Sequence, residues 1–245
     1  MLQKLNKGQV IEDSVLSKQM GKEVPLIVYL PFNYSPLYTY PVLYVQDGSD
    51  YFSLGKLATT LDTLISNKEL QKCIAVGVPV ENTRERLLLY HPRGSKHEAY
   101  KRFFAEELTT HMDRHYSTNT MSGARAIMGD SLGGTVSLEI ALAYPYTFHY
   151  CLSQSGAFYE NTIERVKAFT YPPELLAIYQ VIGLQETAVD TSKGKLNLLE
   201  LNRQLKEQVE QKGIPLEYRE FEGDHTWGYW QQDLPHALRY AFGLV

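Results

Sequence analysis

Cysteine is scarce: the 245-residue chain holds two, Cys73 and Cys151. Both fall inside apolar, strand-like runs, as buried thiols of a reducing compartment do, and not in the spaced pattern of a disulfide framework. No apolar run approaches the ~18 residues of a membrane span. The N-terminal MLQKLNKGQVIEDS has no apolar stretch of the kind a secretory signal needs. The expected location is therefore the cytoplasm, with no membrane partner. Basic residues are in deficit, 24 Lys and Arg against 28 Asp and Glu for a net charge of −4, so the electrostatic footprint of nucleic-acid binding is missing and no nucleic-acid partner is expected. Disorder is excluded from the other side, by 44% hydrophobic and only 21% charged residues.

What is present in excess is tyrosine, 18 against 9 Phe and 2 Trp. What organises the chain is alternation. Short β-branched or aromatic runs predict strands over 9–16, 24–30, 41–46, 73–80, 124–128, 148–154, 176–182 and 216–221. Stretches of helical period predict helices over 54–67, 97–115, 132–144, 159–169, 196–212 and 229–241. In the helix over 97–115, Tyr100, Phe103, Phe104, Leu108 and Met112 share one face. The runs 73–80 and 176–182 are apolar on both faces, the mark of parallel strands between helix layers. Two N-terminal strands followed by repeated βαβ units predict one doubly wound, mostly parallel sheet of about eight strands, and a single domain over 1–245. In such sheets ligands bind beyond the carboxyl ends of the strands, which directs attention to the loops that follow them.

After the strand over 124–128 comes Gly129-Asp130-Ser131-Leu132-Gly133-Gly134, then a helical run. This is G-x-S-x-G between a strand and a helix, the setting of a nucleophile elbow. The turn is so tight that Ser131 must take a strained backbone and its neighbours two positions away must be small. A glycine-rich turn with Ser131 as a plain N-cap is the bland alternative; a phosphate loop is disfavoured because no G-K-[ST] follows. A serine nucleophile needs a base, and His225 lies after the last strand in Glu222-Gly223-Asp224-His225-Thr226-Trp227, in the chain order of α/β-hydrolases. The acid is expected between them, after the strand over 176–182, where Glu186 is favoured over Asp190 because it lies nearer the strand end. His111 and His115 are four apart but lack the Glu of H-E-x-x-H, so no metal site is expected.

The N–H of Leu132 is the first candidate oxyanion donor. The loop Val45 to Phe52 supplies the second, with the N–H of Ser49 chosen. The long polar loop Glu81 to Gly94 carries Arg84, Arg86 and Arg93, candidates to hold an anionic or oxygen-rich group, with Arg93 the residue chosen for substrate binding. Trp227, beside the base, is a candidate pocket wall. Tyr34, Tyr38, Tyr40 and Tyr51 surround the oxyanion loop and are candidates to line a pocket.

Together these residues resemble the esterase family of α/β-hydrolases that includes siderophore esterases, S-formylglutathione hydrolases, feruloyl and acetyl-xylan esterases and mycolyltransferases. The resemblance rests on Tyr29-Leu30-Pro31, Pro41 to Gly48, Phe103 to Leu108, Gly129 to Gly134, Ser153-Gln154-Ser155-Gly156 and Gly223 to Trp227. The siderophore-esterase branch is nearest, through Gln46-Asp47-Gly48 and Asp224-His225-Thr226-Trp227. The resemblance implies the α/β-hydrolase fold with Ser131, His225 and Glu186 as nucleophile, base and acid. Asp130 stands where many members have His, and the stretch 156–175 leaves no room for a large lid. The implied activity is that of a serine carboxylic-ester hydrolase on a small or oxygen-rich ester: a siderophore trilactone, a sugar acetate or a short-chain acyl ester. An acyltransferase on the same triad, or an inert binding protein on the same scaffold, are the alternatives. No cofactor is required for any of these chemistries, and the expected partner is a small-molecule ester.

Overall fold

A computed structural model describes residues 6–191 and 194–244. Among the described residues there are ten strands: β1 (Gln9–Ser17), β2 (Lys22–Leu30), β3 (Val42–Val45), β4 (Ile74–Gly77), β5 (Arg125–Asp130), β6 (Tyr150–Gln154), β7 (Ala177–Gly183), β8 (Val189–Thr191), β9 (Gly194–Leu196) and β10 (Leu216–Phe221). Eight of them form one sheet in the order β1-β2-β4-β3-β5-β6-β7-β10. The first two pairings, β1 with β2 and β2 with β4, are antiparallel, and all the others are parallel. This is the doubly wound, mostly parallel sheet that the alternation of runs predicts.

Helices cover both faces: α1 (Gly48–Ser53), α2 (Leu57–Ser66), α3 (Thr83–Tyr90), α4 (His97–Arg102), α5 (Thr109–His115), α6 (Leu132–Ala143), α7 (Glu160–Lys167), α8 (Leu198–Gln211) and α9 (Trp227–Phe242). A π-helical segment, Phe103–Leu108, joins α4 to α5, so 97–115 runs as one rod. Period-2 geometry splits β3 between two cores. Val42 and Tyr44 pack with Phe104, Val136 and Phe148 on one face. Leu43 and Val45 pack with Leu61, Leu234 and Leu238 on the other. The central strands β3, β4 and β5 are buried along their whole length, which is why their sequences read as unbroken apolar runs.

Three elements differ from the sequence expectation. The polar segment after β4 holds the helix α3 where a loop is expected. Its signal is the cap: Asn82 accepts from the Glu85 N–H at 3.0 Å, and N-x-x-E is a helix-start pattern that the arginine-rich composition masks. The segment Val45 to Phe52 turns into the short helix α1 almost at once, ahead of α2, which fills the helix expected over 54–67. The third is a hairpin, β8 paired antiparallel with β9, in the loop that also carries the candidate acids. Three-residue strands fall below what alternation can resolve. No helix among the described residues is long and apolar enough to cross a membrane.

Candidate active site

The parallel strands deliver three side chains to one point beyond their carboxyl ends. At the end of β5 the chain turns through Ser131, with φ 51° and ψ −121°. The turn closes only because glycine stands on either side. A Cβ on Gly129 would lie 2.3 Å from the backbone carbon of Gly133, and one on Gly134 would lie 2.5 Å from Ser153 Oγ. The Ser131 N–H is held by the Gln154 carbonyl at 2.9 Å, which fixes the hydroxyl above the sheet.

His225 follows β10. Its Nε2 is 2.9 Å from Ser131 Oγ, and its Nδ1 is 2.6 Å from Glu186 Oε2. Glu186 follows β7 and is fully buried. Its other oxygen accepts from the Gly183 N–H at 2.9 Å and the Ser155 hydroxyl at 2.6 Å, so a carboxylate cut off from water has donors on both oxygens. The loops bearing Glu186 and His225 are tied directly, Gln185 N–H donating to the Gly223 carbonyl at 3.0 Å. A Cβ on Gly183 would lie 2.4 Å from that carbonyl oxygen, which accounts for glycine there. Of the two acids left open by the sequence, Glu186 reaches the imidazole. Asp190 is exposed on β8 and lines the cavity wall instead.

Ser131 and His225 open into a cavity of about 340 Å³. Leu87, Leu132, Ala157, Tyr159 and Val189 give it apolar walls; Thr83, Thr191, Asp190 and Arg86 supply the polar ones. Leu132 is the first residue of α6, so its N–H has no partner within the helix and lies at the positive end of the helix dipole. The structure does not bring Ser49 here; it lines a separate cavity of about 210 Å³ with Lys22, Val78 and Glu85. Arg93 and Arg84 are exposed and absent from the cavity wall. Trp227, expected as a pocket wall, is absent from the cavity lining; it stands edge-on to Tyr51 at 4.9 Å and to Trp230 at 5.3 Å. Tyr34 and Tyr40 pack on each other at the amino end of β3, the opposite edge of the sheet, and Tyr38 is exposed. Tyr51 is buried, its hydroxyl on Gln154 at 3.0 Å. The cavity tyrosine is Tyr159, outside the group chosen from sequence. Much of the tyrosine excess is core: Tyr29, Tyr44, Tyr51, Tyr90, Tyr100 and Tyr179 are all fully buried.

Arg86 reaches the cavity, but its guanidinium is already engaged. It grips Asp47 through Nε at 3.0 Å and Nη2 at 2.9 Å, and Nη2 also donates to the Asp130 carbonyl at 3.0 Å. Asp47 is itself in the left-handed region at φ 47°, and its N–H donates to the buried Tyr90 hydroxyl at 3.0 Å. Arg86 thus ties the loop after β3 to the nucleophile turn. Burial pushes the Asp130 carboxyl up to about 7, against the pull of Arg86, with Asp47 adding to the rise. Replacing Arg86 by Met would leave Asp47, 6% exposed, without its cation. The expected result is a loss of about 3 kcal/mol in urea denaturation and a fall in turnover that is similar for neutral and anionic esters. Arg93→Met is expected to change neither. A loss confined to anionic esters would show Arg86 to be a substrate anchor.

Among the described residues no group of three or more His, Cys, Asp or Glu side chains could hold a metal ion. Both cysteines are buried free thiols, and burial pushes the Cys73 thiol up to about 12.

The fold and the placement of the site beyond the parallel strands are those of the α/β-hydrolase class. The family described as "Putative esterase" matches residues 17–241, and the chain belongs to it. The chain is 43% identical over 233 residues to the uncharacterized protein YjcH of Bacillus subtilis, covering 95% of this chain and 97% of that one. A solved ferulic acid esterase superposes with a TM-score of 0.80 at 19% identity, covering 96% of this chain and 98% of that one. The enterochelin esterase of Shigella flexneri superposes with a TM-score of 0.81 at 18% identity, covering 95% of this chain and 57% of its own. At these identities the solved structures speak for the fold.

Proposed function

We propose that the protein is a serine carboxylic-ester hydrolase working through an acyl-enzyme. The observation that carries this reading is the unbroken hydrogen-bonded series Ser131–His225–Glu186, at 2.9 and 2.6 Å, with its serine on a strained turn beside a cavity. Ser131 Oγ attacks the ester carbonyl while His225 Nε2 takes its proton. The Leu132 N–H donates to the oxyanion as charge develops there. The intermediate collapses, the alcohol leaves with the proton from His225, and the acyl group stays on Ser131. Water then attacks, its proton passing to His225, and the acid departs as Ser131 recovers its hydrogen. Glu186 holds the imidazole in the tautomer with Nδ1–H and stabilises the imidazolium without taking the proton.

The cavity argues for a small acyl group. At about 340 Å³ it lies at the low end of ligand cavities. Its apolar walls suit a short alkanoyl group or a single aromatic acid, with the threonine hydroxyls left for ester or ring oxygens. A siderophore trilactone would leave most of its bulk outside. The test is a panel of p-nitrophenyl acetate, butyrate and laurate, methyl ferulate and enterobactin with purified protein. Acetate, butyrate and ferulate esters are expected to be cleaved, with kcat/KM for laurate lower by about tenfold or more. Laurate as the best substrate would overturn the small-acyl reading, and no cleavage of any ester would overturn the hydrolase.

A further inference from the structure

One strand away from the nucleophile turn stands a second serine with a left-handed backbone. Ser155, at φ 49°, is the first residue beyond β6 and is fully buried. Its N–H donates to the Val181 carbonyl at 2.8 Å, as the Ser131 N–H donates to Gln154. Each turn is thus pinned to the next strand of the sheet. A non-glycine residue held in this region is strained, and glycine would relieve it. The serine hydroxyl lies between two partners. It is 2.6 Å from Glu186 Oε1 and 2.9 Å from Trp230 Nε1. An indole N–H only donates and an ionised carboxylate only accepts, so the hydroxyl proton is directed at Glu186.

Trp230 is itself fixed. Its carbonyl accepts from Gln154 Nε2 at 2.8 Å, and its ring meets the His225 ring edge-on, with centroids 4.9 Å apart at 89°. Trp230 therefore touches the base directly and the acid through Ser155. We propose that Ser155 and Trp230 are positioning residues for the ester hydrolysis, acting through Glu186: Trp230 sets the hydroxyl of Ser155, and that hydroxyl holds the Glu186 carboxylate aimed at His225. This rests on the serine-hydrolase reading. Buried without water, Glu186 keeps its orientation through the donors on Oε1. Removing the Ser155 hydroxyl leaves only the Gly183 N–H there. The Glu186 carboxylate is then held by one donor fewer on that oxygen and is free to turn away from His225.

The experiment compares Ser155→Gly, Ser155→Ala and Trp230→Phe with wild type on p-nitrophenyl acetate. Rates are expressed per active site, counted with a fluorophosphonate titrant, and accompanied by thermal melts. Ser155→Gly is expected to lose about 10–100-fold in kcat, with KM within about threefold. Its Tm is expected to be no lower than that of Ser155→Ala, because glycine relieves the left-handed turn. Trp230→Phe keeps the ring against His225 and deletes only the N–H, so a smaller loss in kcat is expected, again with KM nearly unchanged. An unchanged kcat in Ser155→Gly, or an effect confined to KM, would overturn the proposal. So would a loss that merely follows Tm or the titratable fraction. A wild type that the titrant does not label, together with a fully active Ser131→Ala, would instead sink the hydrolase reading itself, and the relay with it.

Discussion

Ser131→Ala is expected to lower kcat on p-nitrophenyl acetate by at least ~10³-fold and to abolish fluorophosphonate labelling, with little change in Tm. The expectation separates chemistry from folding because the two depend on different atoms. The strain of the turn lies in the backbone, at φ 51°, and alanine keeps the same Cβ there. The neighbours that the turn demands, Gly129, Gly133 and Gly134, are untouched. What disappears is one hydroxyl, 2.9 Å from His225 Nε2. Without it the imidazole has no proton to take, and the remaining donors can only stabilise attack by water from solution. Removal of a triad serine therefore leaves the modest residual rate that binding and the oxyanion donor sustain. Comparable rates for variant and wild type would show that the Ser131–His225 contact is structural and no more.

The parts of the site that were legible in the sequence are those whose chemistry is local. The nucleophile turn could be read because the clash between Gly129 and Gly133 is set by four consecutive peptide units, and so it leaves a pentapeptide signature. His225 could be read because it follows the last strand directly. The sheet could be read because β3, β4, β5 and β7 are buried on both faces. The remaining features depend on pairings that no stretch of sequence contains. Arg86 looks like one of three loop arginines until Asp47, from the turn after β3, and Asp130, the last residue of β5, are seen to occupy it. Ser49 sits in a plausible loop, yet the immediate turn into α1 carries it to another cavity. Ser155 and Trp230 are 75 residues apart in sequence, and only the packing of α9 against the end of β6 brings indole to hydroxyl. The choice between Glu186 and Asp190 turned on distance from the strand end. The hairpin β8–β9 explains the geometry behind it, since it carries Asp190 away from the imidazole and onto the cavity wall.

That same pair of carboxylates supplies the second large effect. Glu186→Gln is expected to lower kcat by about 10³–10⁴-fold with KM nearly unchanged, whereas Asp190→Asn is expected to stay within about threefold of wild type in kcat. The argument is one of proton placement. Glu186 Oε1 accepts from Ser155 and Gly183, and Oε2 faces His225 Nδ1 at 2.6 Å. In the glutamine variant the amide oxygen is drawn to the two donors, so the amide NH₂ is turned toward His225. Nδ1 must then accept, which places the imidazole proton on Nε2. That proton points at Ser131 Oγ, so Nε2 has no lone pair with which to take the serine proton, and any imidazolium formed no longer has a counter-charge. The substitution is nearly isosteric in a fully buried position, so far-UV circular dichroism should match wild type while turnover collapses. Asp190 makes no contact with the imidazole and stands where solvent can hydrate its replacement, so its amide alters only the wall of the cavity. Retained activity in Glu186→Gln together with a collapse in Asp190→Asn would transfer the role of acid to the hairpin, and would require β8 to move toward His225 before catalysis.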